Sequence, residues 1–147
     1  MSVARVVHQS RSIRTDGRAL IEISEHARVF CRQESLQNGM CQVFVRHTSA
    51  SLLITENADS DVLHDLETVL AGLAPDGDAR YRHHYEGADD MAAHVRSVLT
   101  QTSLSVPVMD GELMLGTWQG MFLWEHRYRA QQRELIFSLI GDFAEGD

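Results

Sequence analysis

The sequence contains no lysine, and all thirteen basic residues of this 147-residue chain are arginine. This absence excludes a lysine Schiff base, a lysine general base and the phosphate-contacting lysine of a P-loop. A bound anion would therefore be held by arginine, by backbone amides, by hydroxyl groups or by a metal ion.

Cysteine and long apolar runs are also scarce. Cys31 and Cys41 are the only cysteines, and their spacing fits neither a disulfide framework nor a metal-binding pair, so we expect two small buried thiols. No stretch approaches the roughly 18 apolar residues of a membrane span, and the N-terminus lacks the apolar region of a signal peptide. We therefore expect a cytoplasmic protein with no membrane partner.

The net charge of −8 argues against general binding of nucleic acid, because neutralising phosphates requires a basic surface. A hydrophobic content of 44% in 147 residues is sufficient for one packed core. We therefore expect a single domain over residues 1–147.

Hydrophobic periodicity predicts seven or eight strands and three helices. Residues 3–13 and 19–23 flank a turn and are predicted to pair as a hairpin. Helices are predicted from about 25 to 36, from 58 to 74 and after Gly87, and most remaining apolar segments alternate as strands. Because helices do not alternate regularly with strands, we predict an α+β fold with a mainly antiparallel sheet.

The stretch 81–94 has the densest set of ionisable side chains. Read as an extended segment, it places His84 and Glu86 on one side and His83 on the other. A helix after Gly87 then puts Asp90 and His94 four residues apart on one face. We expect four side chains to converge: His84, Glu86, Asp90 and His94. Such a set suits binding of a divalent metal or proton transfer. The simpler alternative is that they are solvated charges around a helix N-terminus.

Two other segments carry candidate binding groups. His47 ends a predicted strand, and the hydroxyls that follow it could orient an imidazole or contact phosphate, although such runs also form ordinary turns. Further on, Gly116 and Gly120 bracket Trp118 and Gln119, which indicates either a bulge beside a core tryptophan or a ligand platform.

Together these motifs resemble the YjbQ family, also described as secondary thiamine-phosphate synthase. The resemblance runs over residues 40–141 and rests on three groups of residues: 47–51 with 56–59, 84–91 with His94, and 116–120 with 125–127. It implies an α+β fold that assembles as a homotrimer, with the motif residues in a cleft near subunit contacts. It also implies a modest activity that joins a pyrimidine diphosphate to a thiazole phosphate and releases pyrophosphate.

Several residues match the family pattern position by position: His47, Thr48, Ser49, Glu56, Asn57, His84, Glu86, His94, Trp118, Gln119 and Arg133. The sequence departs from this pattern in two places. Gln101 stands where the family commonly has glycine, and a family His-Gly-Gly-Ser run appears here as residues 129–132. Because the histidine and both glycines of that run are absent, the resemblance does not extend to a role of the loop 127–132 in closing on a ligand, and Arg129 is the residue that would substitute electrostatically.

Our expectation is a thiamine-phosphate synthase-like enzyme that uses a divalent metal, either Mg²⁺ on carboxylates or Zn²⁺ on histidines. His47, His84 and His94 are assigned as metal ligands or proton-transfer groups, with Glu86 as their carboxylate partner. Substrate and phosphate contacts are assigned to Thr48, Ser49, Asn57, Trp118, Gln119, Arg127 and Arg133. The alternatives are a metal-dependent hydrolase of a phosphorylated or acyl compound, and a non-catalytic trimer that binds a metal or a phosphorylated metabolite.

Overall fold

Two antiparallel β-sheets frame the protein in the computed structural model, which describes residues 2–145. Three helices accompany them within that range, so the predicted α+β, mainly antiparallel fold is confirmed. The elements are β1 (Ser2–Thr15), β2 (Ala19–Glu22), α1 (Ser24–Glu34), β3 (Leu36–Val45), β4 (Ala50–Glu56), α2 (Ser60–Leu73), α3 (Asp90–Leu99), β5 (Ser103–Met109), β6 (Glu112–Leu113), β7 (Gln119–Glu125) and β8 (Gln131–Ala144).

The larger sheet has five strands in the order β1-β8-β3-β5-β6. Strict alternation along β3 turns Cys41, Val43 and Val45 into the core, as the sequence pattern predicts. Cys31 on α1 is buried beside them, and both thiols are unpaired, which confirms the expectation for the two cysteines.

The smaller sheet has the order β2-β7-β4, with the buried strand β7 at its centre. The predicted hairpin between the first two strands is wrong. β1 pairs along its length with β8, whereas β2 pairs with β7. The chain changes sheets at Gly17, whose φ of +115° suits glycine and lets the backbone approach the carbonyl of Tyr128.

The first two helices lie close to their predicted positions but differ at their ends. Ser24 is the first residue of α1, and its hydroxyl accepts the backbone N–H of Met121 at 2.9 Å. The helix ends at Glu34 with Ser35 as its C-cap in the left-handed region (φ 59°), shortly before the predicted end at about residue 36. Asp59 caps α2 through the N–H of Asp61. None of the helices in the described range is long and apolar enough to cross a membrane.

Helix α3 packs against β4 through a different face from the one its apolar residues predict. The buried residues are Ala92, Ala93, Arg96 and Ser97, whereas Val98 is 84% exposed. Small side chains let the helix approach the sheet closely, and the buried guanidinium of Arg96 is neutralised by Glu67 of α2. The same rotation carries Asp90 inward and leaves His94 at the edge of the buried face.

Candidate functional site

A cluster of two imidazoles and one carboxylate lies at the N-terminus of α3. One ligand atom from each of His83, Asp90 and His94 lies within 4.8 Å of the other two. Asp90 Oδ2 is 2.6 Å from His83 Nε2 and 3.1 Å from His94 Nε2. Asp90 is buried at the start of the helix, His94 follows one turn later, and His83 reaches them from the preceding loop.

The hydrogen bonds of His94 determine which of its nitrogens carries the proton. His94 Nδ1 lies 2.9 Å from the backbone carbonyl of Thr48, and a carbonyl oxygen only accepts. Nδ1 is therefore the donor, and in the neutral ring the lone pair of Nε2 points at a carboxylate oxygen of Asp90. A proton or a metal ion between these two acceptors relieves the repulsion, and metal-bound histidines commonly donate their other N–H to a carbonyl in this way.

Arg127 completes the surroundings of the cluster. Its Nη1 donates to Asp90 Oδ1 at 2.5 Å and its Nε donates to Asp89 Oδ2 at 3.0 Å. Burial opposes ionisation of both carboxyls, but other interactions hold the pKa of each below its usual value. Hydrogen bonds from the Tyr128 N–H and from Arg127 do so for Asp89, and the hydrogen bond from His83 with the positive charge of Arg127 does so for Asp90. Both groups are therefore carboxylates at neutral pH.

A cavity of about 490 Å³ lies beside the cluster, with His94 in its wall. The cavity and the cluster therefore share one side chain, so a group held by the cluster would lie next to the cavity. The lining residues are His47, Thr48, His94, Ser97, Val98, Thr100 and Thr102.

Of the three predicted metal ligands, His47 lies in the cavity wall and outside the cluster. Its Nε2 accepts the backbone N–H of Glu134 at 2.8 Å. Burial, reinforced by the positive charge of Arg133, lowers the pKa of His47 below its ordinary value, so the ring is neutral at pH 7. The structure thus brings His47 and His94 to one cavity but not to one set of converging ligand atoms.

The placement of His84 and Glu86 corrects the expectation for the central stretch. Residues 81–89 form turns and bends and not an extended segment, so alternation does not decide which side chains face the helix. His83 turns toward Asp90, whereas His84 donates from Nδ1 to the carbonyl of Arg82 and stacks on the Tyr85 ring at 4.5 Å. Glu86 accepts from Arg127 through its backbone carbonyl, with its side chain exposed.

The two arginines predicted to bind phosphate already face carboxylates. Arg127 joins Asp89 and Asp90, as described above. Arg133 is buried and donates to Glu125 through Nε at 2.8 Å, while its Nη2 reaches Ser49 Oγ at 2.9 Å. A phosphate role for either arginine stays a prediction, because it would require the guanidinium to exchange a carboxylate partner for the ligand.

The residues Asn57, Trp118 and Gln119 shape the turn before β7. The backbone N–H of Asn57 donates to the carbonyl of Trp118 at 3.0 Å, and Gln119 Oε1 accepts the N–H of Gly116 at 2.8 Å. Trp118 is 63% exposed, so it is not the core tryptophan that such a motif usually supplies. These residues do not line the cavity, and their predicted part in substrate binding stays a prediction.

A buried polar network under α3 was not found from the sequence. Arg96 Nε donates to His126 Nδ1 at 3.0 Å, so His126 Nε2 carries the proton and donates to Ser51 Oγ at 2.7 Å. Burial, together with nearby arginines, lowers the pKa of His126 to about 2. His126 is therefore neutral and cannot accept the proton of Ser51, which excludes a serine–histidine nucleophile here. Nothing in the local sequence distinguishes a fully buried histidine from an exposed one.

Comparison with known proteins gives consistent results over most of the chain. The family described as UPF0047 protein YjbQ-like matches residues 9–142. The UPF0047 protein sll1880 of Synechocystis is 52% identical over 130 residues, which cover 88% of each chain. The UPF0047 protein YjbQ of Escherichia coli O157:H7 is 44% identical over 104 residues, covering 71% of this chain and 75% of its own.

Solved structures show the same fold. An uncharacterized YjbQ/UPF0047 protein from Clostridium acetobutylicum superimposes with a TM-score of 0.79 at 30% identity, covering 91% of this chain and 99% of its own. A conserved hypothetical protein from Thermus thermophilus gives 0.77 at 32% identity, covering 87% and 97%.

Proposed function

This chain belongs to the YjbQ-like UPF0047 family, and on that premise we propose that it is a metal-dependent enzyme acting on a phosphorylated small molecule. One observation carries the proposal: the lone pair of His94 Nε2 and the carboxylate of Asp90 face the same point as His83 Nε2, beside a cavity of about 490 Å³. A metal ion at that point, like a proton, relieves the repulsion between the acceptor atoms, and the metal would at the same time be coordinated by all three side chains.

His83, His94 and Asp90 would hold the metal through two imidazole nitrogens and one carboxylate oxygen. This ligand set suits Zn²⁺ or another transition ion better than Mg²⁺, which prefers oxygen ligands. A metal with three protein ligands keeps positions open, where it stabilises negative charge on a phosphate or lowers the pKa of a bound water. Thr48 contributes by holding the His94 tautomer through its carbonyl.

The specific reaction that we propose is thiamine-phosphate synthesis. In that reaction the bond between the pyrimidine methylene carbon and the diphosphate breaks, pyrophosphate leaves with the electron pair, and the thiazole nitrogen forms the new bond to carbon. The protein would need to stabilise the leaving diphosphate and exclude water from the carbon. The cluster suits the first task, and the cavity, whose exposed lining is mostly apolar, suits the second.

A second candidate, hydrolysis of a phosphorylated or acyl compound, is favoured by the ligand set itself. Two histidines and one carboxylate with open positions form the type of site that activates water. Arg127 and Arg133 are both paired with carboxylates, which leaves few groups to bind two phosphorylated substrates at once.

A two-substrate assay distinguishes these candidates. Purified protein is incubated with the pyrimidine diphosphate, with the thiazole phosphate and with both, before and after chelation and readdition of Zn²⁺. Thiamine phosphate formed only with both substrates, and lost on chelation, supports the synthase; phosphate released from a single substrate supports hydrolysis. Asp90→Asn should lower either activity at least 100-fold, because it removes the charged ligand. Metal binding without turnover would overturn both and leave a binding protein.

We also propose the homotrimer that the resemblance implies. The outer face of the five-stranded sheet carries apolar side chains that are between 37% and 53% exposed: Val6, Met40, Phe44 and Ile140. Val6 and Met40 both pair with Ile140, and Phe44 lies on the same face of β3 as Met40, four residues further along. An exposed apolar sheet face of this kind favours association. Light scattering that gives the mass of one chain would contradict this assembly.

The cytoplasmic location expected from the sequence is part of the proposal as well. The unpaired thiols of Cys31 and Cys41 suit a reducing compartment. Cell fractionation that places the protein outside the cytoplasm would reject it.

A further inference from the structure

The geometry points to the cavity beside the cluster as the binding site for a flat, uncharged ring of the substrate, with His47 donating a hydrogen bond to an acceptor atom on that ring. This inference deepens the proposed function and rests on it in one respect, since the phosphate of the same substrate is taken to lie on the metal. It assigns His47 to substrate recognition and not to metal binding.

The cavity wall favours an apolar, uncharged group. Thr48, Val98, Thr100 and Thr102 lie in the wall, and two of the hydroxyl groups lining it are already donating to backbone carbonyls: Ser97 Oγ to Ala50 and Thr100 Oγ1 to Arg96. No arginine, aspartate or glutamate of the described chain lines the cavity. A charged group would therefore enter without a countercharge, at a large desolvation cost.

The volume of the cavity accommodates a ring with its substituents. About 490 Å³ lies within the range of small-molecule pockets. Because His94 is in the wall, a ring in the cavity would lie one substituent away from the cluster. A phosphate or diphosphate carried on a methylene group beside the ring would bridge the two.

His47 supplies a donor whose tautomer is fixed by the fold. Its Nε2 accepts the N–H of Glu134 at 2.8 Å, so the neutral ring carries its proton on Nδ1. Nδ1 makes no hydrogen bond within the described chain and is not among its enclosed unpartnered atoms, so it is open to the solvent that a ligand would displace. A ring nitrogen or carbonyl oxygen would accept from it, whereas a purely hydrocarbon ring would leave it without a partner.

The test compares two flat rings of similar size, pyrimidine and benzene, as probes without phosphate. Binding to ¹⁵N-labelled protein is followed by NMR, using the backbone signals of Thr100 and Thr102 and the imidazole nitrogens of His47. We expect pyrimidine to bind about fivefold more tightly than benzene, as one neutral hydrogen bond allows, and to shift His47 Nδ1.

Two variants make the result specific. His47→Phe keeps a flat side chain but removes the donor, so the two probes should bind equally. Thr102→Phe fills the cavity from another position, leaves His47 intact and should abolish binding of both probes. The amide spectrum of each variant shows whether the fold is retained.

Equal affinity of the wild-type protein for both probes, shifts confined to another surface, or unchanged discrimination in His47→Phe would overturn the inference. The probes require no metal, so His83→Ala should bind pyrimidine as the wild type does. A wild-type protein that binds pyrimidine but neither binds metal nor turns over a substrate would reject the proposed function while leaving this assignment of the cavity in place.

Discussion

Mild acid should destabilise this protein through one buried histidine. His126 is fully enclosed between Arg96 and Ser51, and its pKa falls from 6.5 to about 2 in the folded protein. Below pH 6.5 the unfolded chain binds a proton at His126 that the folded chain does not. The free energy of unfolding therefore decreases as the pH falls from about 6.5 towards 2. Above pH 6.5 His126 is neutral in both states, and the full stability is present.

The size of the effect follows from the width of that window. Each pH unit below the unfolded pKa costs about 1.4 kcal/mol, so lowering the pH from 7 to 5 should remove about 2 kcal/mol through His126 alone. This is a large fraction of the stability of an ordinary domain. The loss of stability also concerns the candidate site, because Arg96, which donates to His126, lies on the same helix as Asp90 and His94.

Urea denaturation at several pH values between 5 and 8 measures this slope. His126→Asn removes the titrating ring, so its stability at pH 7 is lower but its slope with pH should be shallower by about 1.4 kcal/mol per unit below pH 6. The exposed His64 supplies a control, since His64→Asn should keep the wild-type slope. An unchanged slope in His126→Asn, or a wild-type stability that is flat from pH 7 to 5, would refute the reasoning.

Three further substitutions test the local structure by chemical denaturation. Gly17→Ala should cost about 1 to 3 kcal/mol, because φ is +115° and the new Cβ would meet the carbonyl of Tyr128 at 2.9 Å; a neutral effect would contradict the close approach. Ser51→Ala should cost about 1 to 3 kcal/mol by leaving the N–H of His126 buried without an acceptor, and an unchanged stability would argue against the tautomer. Asp59→Ala should cost about 1 kcal/mol as a lost N-cap, with a smaller loss if α2 is capped by another group.

Strands in which apolar and polar residues alternate could be predicted from the sequence, because one face of such a strand packs on the core and the other does not. In β3, one side of the strand is core and the other is not, so the pattern of Cys41, Val43 and Val45 records the packing directly. The alternation does not show which strands pair with each other. A short turn suggested that β1 and β2 pair, whereas β8 offers β1 a partner of equal length more than a hundred residues away.

The buried faces of the helices were harder to predict, because a charged side chain can be buried when a residue from another element neutralises it. On α3 the apolar residue Val98 is exposed and Arg96 is buried, since Glu67 from another helix neutralises the guanidinium. On α2 only Leu70 is buried, although several apolar residues share its stripe. Helical spacing identifies an apolar face but does not tell whether this chain or another one covers it.

The location of the candidate site could be predicted from the sequence, but not all of the residues that form it. Asp90 and His94 follow from helical spacing, which is local geometry. The choice between His83 and His84 depends on a loop of turns, where no period applies. Alternation favoured His84, whereas His83 is the one that faces Asp90. The orienting contact from His94 to the Thr48 carbonyl joins residues 46 positions apart and has no signature in either segment.

The most direct test of the account is the zinc content of three proteins after equilibration with Zn²⁺ and removal of the excess: the wild type, His83→Ala and His84→Ala. The two variants remove adjacent histidines from the same loop, so they differ only in whether the lost imidazole faces Asp90. The account predicts one zinc per chain in the wild type and in His84→Ala, and a loss of at least tenfold in affinity in His83→Ala. Equal zinc retention by both variants, zinc loss only in His84→Ala, or no zinc in the wild type would contradict it.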